Sequence, residues 1–472
     1  MNTPPRRRGP NHRLRHWFDR TGFSKTELAA LIHQRARRHG HPNVAPDASR
    51  IRHWLTGEHP RPPVPQILTE LFTERLGVPL TVTDLGLPGC DTPIMRDILD
   101  LAWLPTRTVN GISQYARSDL MLDRTDFETE NTTVATGPEL LRAVQPWATA
   151  HPDPLPNLTD APHGRVGMTE VQQIEQATQV FRTWDNTHGG GLSRDAVVGQ
   201  LKWAASLLDG PYTDTTGRSL FRAVADLAGV AAWMSFDVNL HAVAQHYFTL
   251  ALHAAKEAGD RNLGAHILNC MARQMNHLHR PDDALELVQL AQYGARHSAT
   301  ATTRAILHSL EARSYAVMGR LDDFDRAAGH ADEAFTHTNP DEDPIWVRFF
   351  DESEYHATIG ICYQIAARTR PDHANRSASM INTAISQRNQ SRVRSRAFDY
   401  IGLARTHLLQ TELDGAHHAA NTALQLTEHL NSTRVHDRLR ELRDETTPHL
   451  NDPLIRDVHE RINTTLRRPE GP

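Results

Sequence analysis

Between Leu227 and Phe335 the chain repeats itself every 40 residues. Ala244, Phe248 and Ala251 return as Ala284, Val288 and Ala291, and again as Phe324, Ala328 and Ala331. Twelve residues ahead of each set stand Ala232, Ala272 and Ala312. Self-similarity at a fixed period is the signature of stacked supersecondary units. Small residues at these positions let two helices cross closely, and the apolar stripe around them keeps helical spacing. The middle copy shows both: Leu268, Met271, Ala272 and Met275, a break at His279–Asp282, then Ala284, Val288 and Ala291. An irregular bundle with coincident alanines would not hold four columns in register over three copies. The pattern predicts an α-solenoid of helix pairs, with its concave face as the default place for a ligand.

The spacing resembles the tetratricopeptide helix pair, whose usual unit is about 34 residues. Units of 40 then carry longer helices or a looser inter-unit loop. Arg394–Leu430 reads as a further pair, with Ala404 twelve residues before Ala416, followed by Ala420 and Ala423. The segment Ile345–Gln387 fits more loosely, with Ser377, Ile381 and Ala384 in the later slots and Pro340, Pro344 and Pro371 interrupting. It predicts a lengthened or distorted unit.

Length and charge divide the chain. At 472 residues it exceeds one core. No apolar run approaches the ~18 residues of a membrane span, and Arg6-Arg7-Arg8 is followed by no apolar stretch, so no secretory signal or membrane association is expected. Cys90, Cys270 and Cys362 are far apart and odd in number, the usage of a reducing cytoplasm without disulfides or a zinc module. The net charge is −5, yet residues 1–62 hold 13 Lys/Arg against four Asp/Glu. A basic head on an acidic body suggests that the head binds nucleic acid.

The head reads as helices. Leu14, Trp17 and Phe18 precede a stop at Gly22, and Ser24 with Glu27 forms a capping box opening Lys25–Arg38. Asp47 or Ser49 can cap a third helix with Ile51, Trp54 and Leu55 inward and Gly57 as its end. A fourth, Gln66–Arg75, closes on Leu76-Gly77-Val78. Ser24-Lys25-Thr26-Glu27-Leu28-Ala29, then Ser49 to Glu58 through Trp54 and Gly57, then Leu76-Gly77-Val78, resembles the XRE/Cro-type helix-turn-helix domain over residues 12–87. In that family the helix before the tryptophan-to-glycine stretch is the recognition helix. Here the turn ahead of it, Arg35–Pro46, is longer than the family's. The expected contacts with double-stranded DNA are Ser49, Arg50, Arg52 and His53 on the polar side of that helix, Lys25 at the start of the second, and Arg6, Arg7 and Arg8 as an arm.

The domain boundaries follow: 1–88 helix-turn-helix, 89–165 connecting helices (Ile94–Leu104, Ile112–Leu122 and one near Glu139–Trp147) with a Pro-rich linker, and 166–465 tetratricopeptide-like repeats. Pro152, Pro154, Pro156 and Pro162 mark the linker, which would keep the head movable. Val171–Trp184 and Leu192–Leu208 are helix patterns leading into the repeats. The fold class expected is all-α.

No nucleophile elbow, Walker motif, dinucleotide fingerprint or paired-carboxylate site is visible, so no enzyme and no cofactor is expected. The 29 histidines include no HExxH, and no metal site is expected. On the concave side, the ninth position of the first helix of each pair places Trp233, Arg273 and Arg313 along one groove, with Arg405 in the later unit. Asn269 and Asn276 flank Arg273 as polar residues on a solvated face. Carboxamides pair with a peptide's N–H and C=O, and guanidiniums suit a carboxylate.

An XRE-type head on a tetratricopeptide body resembles the peptide-sensing Rap/Rgg/NprR/PlcR/PrgX group. The resemblance implies a cytoplasmic one-component transcriptional regulator, a homodimer that binds a signalling peptide or small molecule in its repeats. The alternative is a tetratricopeptide scaffold or antagonist acting through protein–protein contact.

Overall fold

A computed structural model describes residues 11–467 apart from positions 40, 62, 77–79, 81, 83, 86, 88–97, 122–132, 156–165, 190, 192, 429 and 431. All regular structure among the described residues is helical. The chain divides into two compact units, Met1–Ile94 and Met95–Pro472.

The first unit holds α1 (His12–Thr21), α2 (Lys25–Arg38), α3 (Ala48–Leu55) and α4 (Val64–Leu76). Gly22 ends α1 at φ 71°, a left-handed backbone that glycine adopts without a Cβ penalty. The capping box opens α2: the Glu27 amide donates to Ser24 Oγ at 3.1 Å, and the Ser24 amide to Glu27 Oε2 at 3.4 Å. Asp47, not Ser49, caps α3, accepting from the Arg50 amide at 2.8 Å. Leu28, Ile32, Ile51, Trp54, Ile67, Leu71 and Phe72 make the core.

In the second unit the helices pack as consecutive antiparallel pairs. They are Asp214–Asp237 with His241–Ala258, Arg261–His277 with Pro281–Ala295, and Ala301–Val317 with Leu321–Thr336. Glu352–Ala366 with His373–Gln387, Val393–Leu409 with Leu413–Thr427, and Thr433–Thr446 with Pro453–Arg467 continue the stack. This is an α-solenoid of tetratricopeptide-like pairs. The alanine columns Ala232, Ala272, Ala312 and Ala404 are fully buried where the pairs cross.

The turn inside four of the six pairs recurs in the same form. Asn239, His279 and Gly319, 40 residues apart, and then Thr411, have positive φ. In each case the next amide closes a six-residue loop of 2.9 Å onto the helix: Leu240 to Ser235, Arg280 to Met275, Arg320 to Tyr315 and Glu412 to His407. The loop satisfies carbonyls that a helix end leaves open.

The loosely fitting unit is a regular pair, Glu352–Ala366 with His373–Gln387, preceded by an inserted loop over 337–351 that carries Pro340 and Pro344. Asp214–Asp237 is, among the described residues, long and apolar enough to cross a membrane, and 78% of that window is buried inside the fold. It is the first core helix of the stack.

The stretch 98–155, read from sequence as a connector, is docked on the repeats over its described parts. Helix α5 (Pro105–Met121) replaces the expected Ile112–Leu122, and no helix occupies 98–104, because the residue before a proline disfavours the α region. Trp103 stacks on His253 with ring centroids 3.7 Å apart. Gln245 pairs with both the amide and the carbonyl of Ala135, at 2.8 and 2.9 Å. Trp147 is fully buried against Gly264 and Gly294, where any Cβ would overlap its indole. Pro152 and Pro154 lie in this docked segment; Pro156 and Pro162 fall outside the described residues.

Candidate functional site

Two surfaces carry the candidate functional residues. In the head, α3 buries Ile51, Trp54 and Leu55 and leaves Ser49, Arg50, Arg52 and His53 exposed on the opposite side. The long turn before it folds back on α2, with His33 Nδ1 2.9 Å from the Val44 carbonyl and the His41 amide donating to Ala36 at 2.8 Å. Arg35 is drawn to α4 by Glu74, at 2.6 Å, and Glu70, at 3.0 Å. The helix pair is therefore fixed despite the longer turn. Arg50 is not free: it pairs with Glu58 at 3.0 Å, and Glu58 also stands 3.9 Å from His53. Lys25 is exposed at the start of α2, and Arg6, Arg7 and Arg8 lie outside the described residues.

The solenoid encloses a cavity of about 820 Å³, lined by the first helix of each pair. Trp233, Asn269, Arg273, Asn276, Arg313 and Arg405 all reach it. The ladder that the sequence gives as Trp233, Arg273, Arg313 and Arg405 has a member sequence reasoning missed. The inserted loop lengthens one step to 51 residues and puts Gln364 between Arg313 and Arg405; a further step of 40 brings Glu445. The same loop supplies Trp346 and Phe349 to the wall, and the Arg273 guanidinium lies 5.8 Å from the Phe349 ring centre.

The cavity is walled off on one side, where a groove open along its length was expected, because helices from the two ends of the superhelix meet there. Arg394 bridges Asp185, at 2.7 Å, and Asp237, at 3.1 Å, while Arg434 reaches Asp237 at 2.8 Å. Arg434 also lies over the Trp233 ring at 4.6 Å. Asn269 and Asn276, expected on a solvated face, are only 1% and 5% exposed.

Ten arginines and seven carboxylates line the space. Arg405 is neutralised within the chain by Glu441 at 2.8 Å and Glu445 at 2.7 Å, which removes it from the set able to meet a ligand. Seven others are likewise paired: Arg182 with Asp226, Arg368 with Glu445, Arg388 with Glu354 and Asp399, Arg392 with Asp351, Arg438 with Glu441, and Arg394 and Arg434 as above. Among the described residues, Arg273 and Arg313 have no ion-pair partner. Burial, with the charges of Arg438 and Arg273, pulls Arg313 down to about 10, while the Cys362 and Glu441 fields oppose that fall.

Several polar atoms of cavity-lining residues are buried with no hydrogen-bond partner among the described residues. They are both carboxamide atoms of Asn269 and of Gln364, Asn276 Oδ1, and Nε and Nη2 of Arg273. Each such atom costs about 1–3 kcal/mol unless something meets it. Asn276 Nδ2 is used, donating to Ser314 Oγ of the next unit at 3.1 Å.

Fold and site together define a helical-repeat protein with a basic helical head and an arginine-bearing cavity in the repeats. The family described as SP15 N-terminal domain matches residues 14–88, the span of that head. No curated protein matches the chain.

Proposed function

We propose that the chain is a one-component transcriptional regulator of the cytoplasm. The head binds operator DNA through α3, and the repeat domain binds a small ligand or signalling peptide. The observation that carries this reading is the α3 surface: a short capped helix with three apolar residues inward and Ser49, Arg50, Arg52 and His53 outward, in a head of strong positive charge. Phosphates reward that charge whatever the sequence, and guanidiniums on a groove-facing helix read guanine edges. The resemblance to XRE-type heads on tetratricopeptide bodies supports the same reading. A homodimer belongs to it, since one small head buries too little duplex for tight specific binding.

Selection of randomised duplexes on the purified full chain tests it. A recurrent half-site pair spaced by whole helical turns is the expected result. Retention of all sequences alike, or of none, overturns it and leaves a protein-binding scaffold as the better account.

A further inference from the structure

We propose that the cavity is a receptor for an amide-bearing organic carboxylate, its charge held between Arg273 and Arg313 and its amide met by Asn269 and Gln364. The inference rests on the sensor reading above and names its ligand class.

Charge accounting selects the anion. The other cavity-lining arginines are satisfied by carboxylates of the chain itself, and these two are not. They occupy consecutive rungs of the ladder, 40 residues apart, on the stacked helices Arg261–His277 and Ala301–Val317. Arg313 feels the charge of Arg273, and the Cys362 thiol, on the helix Glu352–Ala366, feels both. Two unneutralised cations in a space of low dielectric favour an anionic occupant strongly. A planar guanidinium pairs best with a carboxylate or phosphate oxygen pair.

The neighbouring groups narrow the choice to a carboxylate that also bears an amide. Asn269 lies one helical turn before Arg273, and both its donor and its acceptor are unmet in the chain, as are those of Gln364. Two carboxamides of this kind complement a secondary amide, which offers one donor and one acceptor. A fully ionised phosphate ester offers acceptors alone and leaves both carboxamide oxygens unmet, whereas the amide N–H meets one of them. Trp233 and Phe349 give the rest of the ligand an apolar wall.

N-acetyl-L-phenylalanine, its primary amide, benzoate, the tripeptide Ala-Ala-Phe and inorganic phosphate serve as probes of the full chain, by calorimetry and thermal unfolding. N-acetyl-L-phenylalanine or the tripeptide is expected to bind saturably, with the primary amide and benzoate each at least tenfold weaker. A tighter tripeptide marks a peptide terminus as the source; a tighter acetylated residue marks a free small acid. Arg273→Gln and Arg313→Gln should each lose at least tenfold in affinity. Arg313→Met should also raise the melting temperature of the free protein, because it removes an uncompensated buried cation, whereas loss of a merely structural arginine would lower it. Equal binding of acid and amide, phosphate binding as tightly as the acid, or no response to either amide-bearing carboxylate overturns the proposal. The sensor reading fails separately, if a bound carboxylate leaves operator affinity unchanged.

Discussion

Arg394 meets Asp185 across 209 positions of sequence, donating from Nη1 to Oδ1 at 3.1 Å and from Nη2 to Oδ2 at 2.7 Å. The pair is buried together with Asp237, which also accepts from Ser432 at 3.0 Å and Arg434 at 2.8 Å. It joins the helix Met168–His188, which precedes the repeat pairs, to the fifth pair, and so ties the two ends of the superhelix together.

Asp237→Ala leaves the buried Arg434 guanidinium without a carboxylate and takes from Arg394 one of its two. Removing one partner of a buried ionic cluster typically costs about 3–5 kcal/mol. The variant should lower the urea midpoint and expose the helices Thr433–Thr446 and Pro453–Arg467 to proteolysis. An unchanged midpoint would show that the closure does not stabilise the fold.

Trp147 fastens the segment 133–155 to the repeats. Arg261 donates to the carbonyls of Trp147 and Ala150, and its guanidinium lies 5.4 Å from the indole ring centre. Trp147→Ala should cost about 3–5 kcal/mol. Gly294→Ala should release the segment to limited proteolysis by pushing the indole out of its seat, with the repeat helices still intact by circular dichroism.

On the head, Arg52 is exposed and Arg50 is shared with Glu58. Arg52→Ala should weaken preferred-site binding by about 1–3 kcal/mol. Glu58→Gln should strengthen it, because it removes a negative charge beside the phosphates and frees Arg50. Titrations at two salt concentrations check both, and equal affinity for wild type and Arg52→Ala would remove α3 from the interface.

Stability should fall in mild acid. Burial, with some repulsion from Lys256, holds His253 down at about 3; burial, with Arg182 and Arg273, does the same for His266, and burial holds His246 near 4. Their folded values lie below that of the unfolded chain, so the unfolded state takes up the protons first. The contribution is complete above pH 6.5 and is lost as pH falls from there towards 4, by up to about 1.4 kcal/mol per unit for each histidine. The urea midpoint at pH 7 and pH 5 measures the slope, which His253→Gln should flatten.

Thr411 sits at φ 61° in a turn where the preceding units have Gly319, His279 and Asn239. A β-branched residue in the left-handed region is strained. Thr411→Gly should therefore stabilise the chain by about 1 kcal/mol, after the extra backbone entropy of glycine in the unfolded state is deducted. Chemical denaturation decides the sign.

Local chemistry made much of this fold legible in the sequence. Helix pairs follow from a 40-residue recurrence of small residues, since close crossings require them whatever the rest of the chain does. The caps of α1 and α2 follow from Gly22 and from Ser24 with Glu27, because each acts within one helical turn, while the choice of Asp47 over Ser49 for α3 came from the structure. The inward ninth position follows too, as the ladder from Trp233 to Arg313 shows.

Tertiary structure alone decided what that ladder faces. Gln364 entered it only once the loop over 337–351 was seen to lengthen one step, and Arg405 left the ligand-facing set only when Glu441 and Glu445 arrived from a later helix. The expected groove gained a wall on one side because Asp185 and Asp237 meet Arg394 and Arg434, partners separated by roughly 160 to 210 positions. Docking of the segment around Trp147 depends likewise on Gly264 and Gly294 lying together across two helices. Helical periodicity is a property of neighbours in sequence and can be read there. Which charges are neutralised, and which are left to meet a ligand, depends on distances across the superhelix that no local pattern encodes.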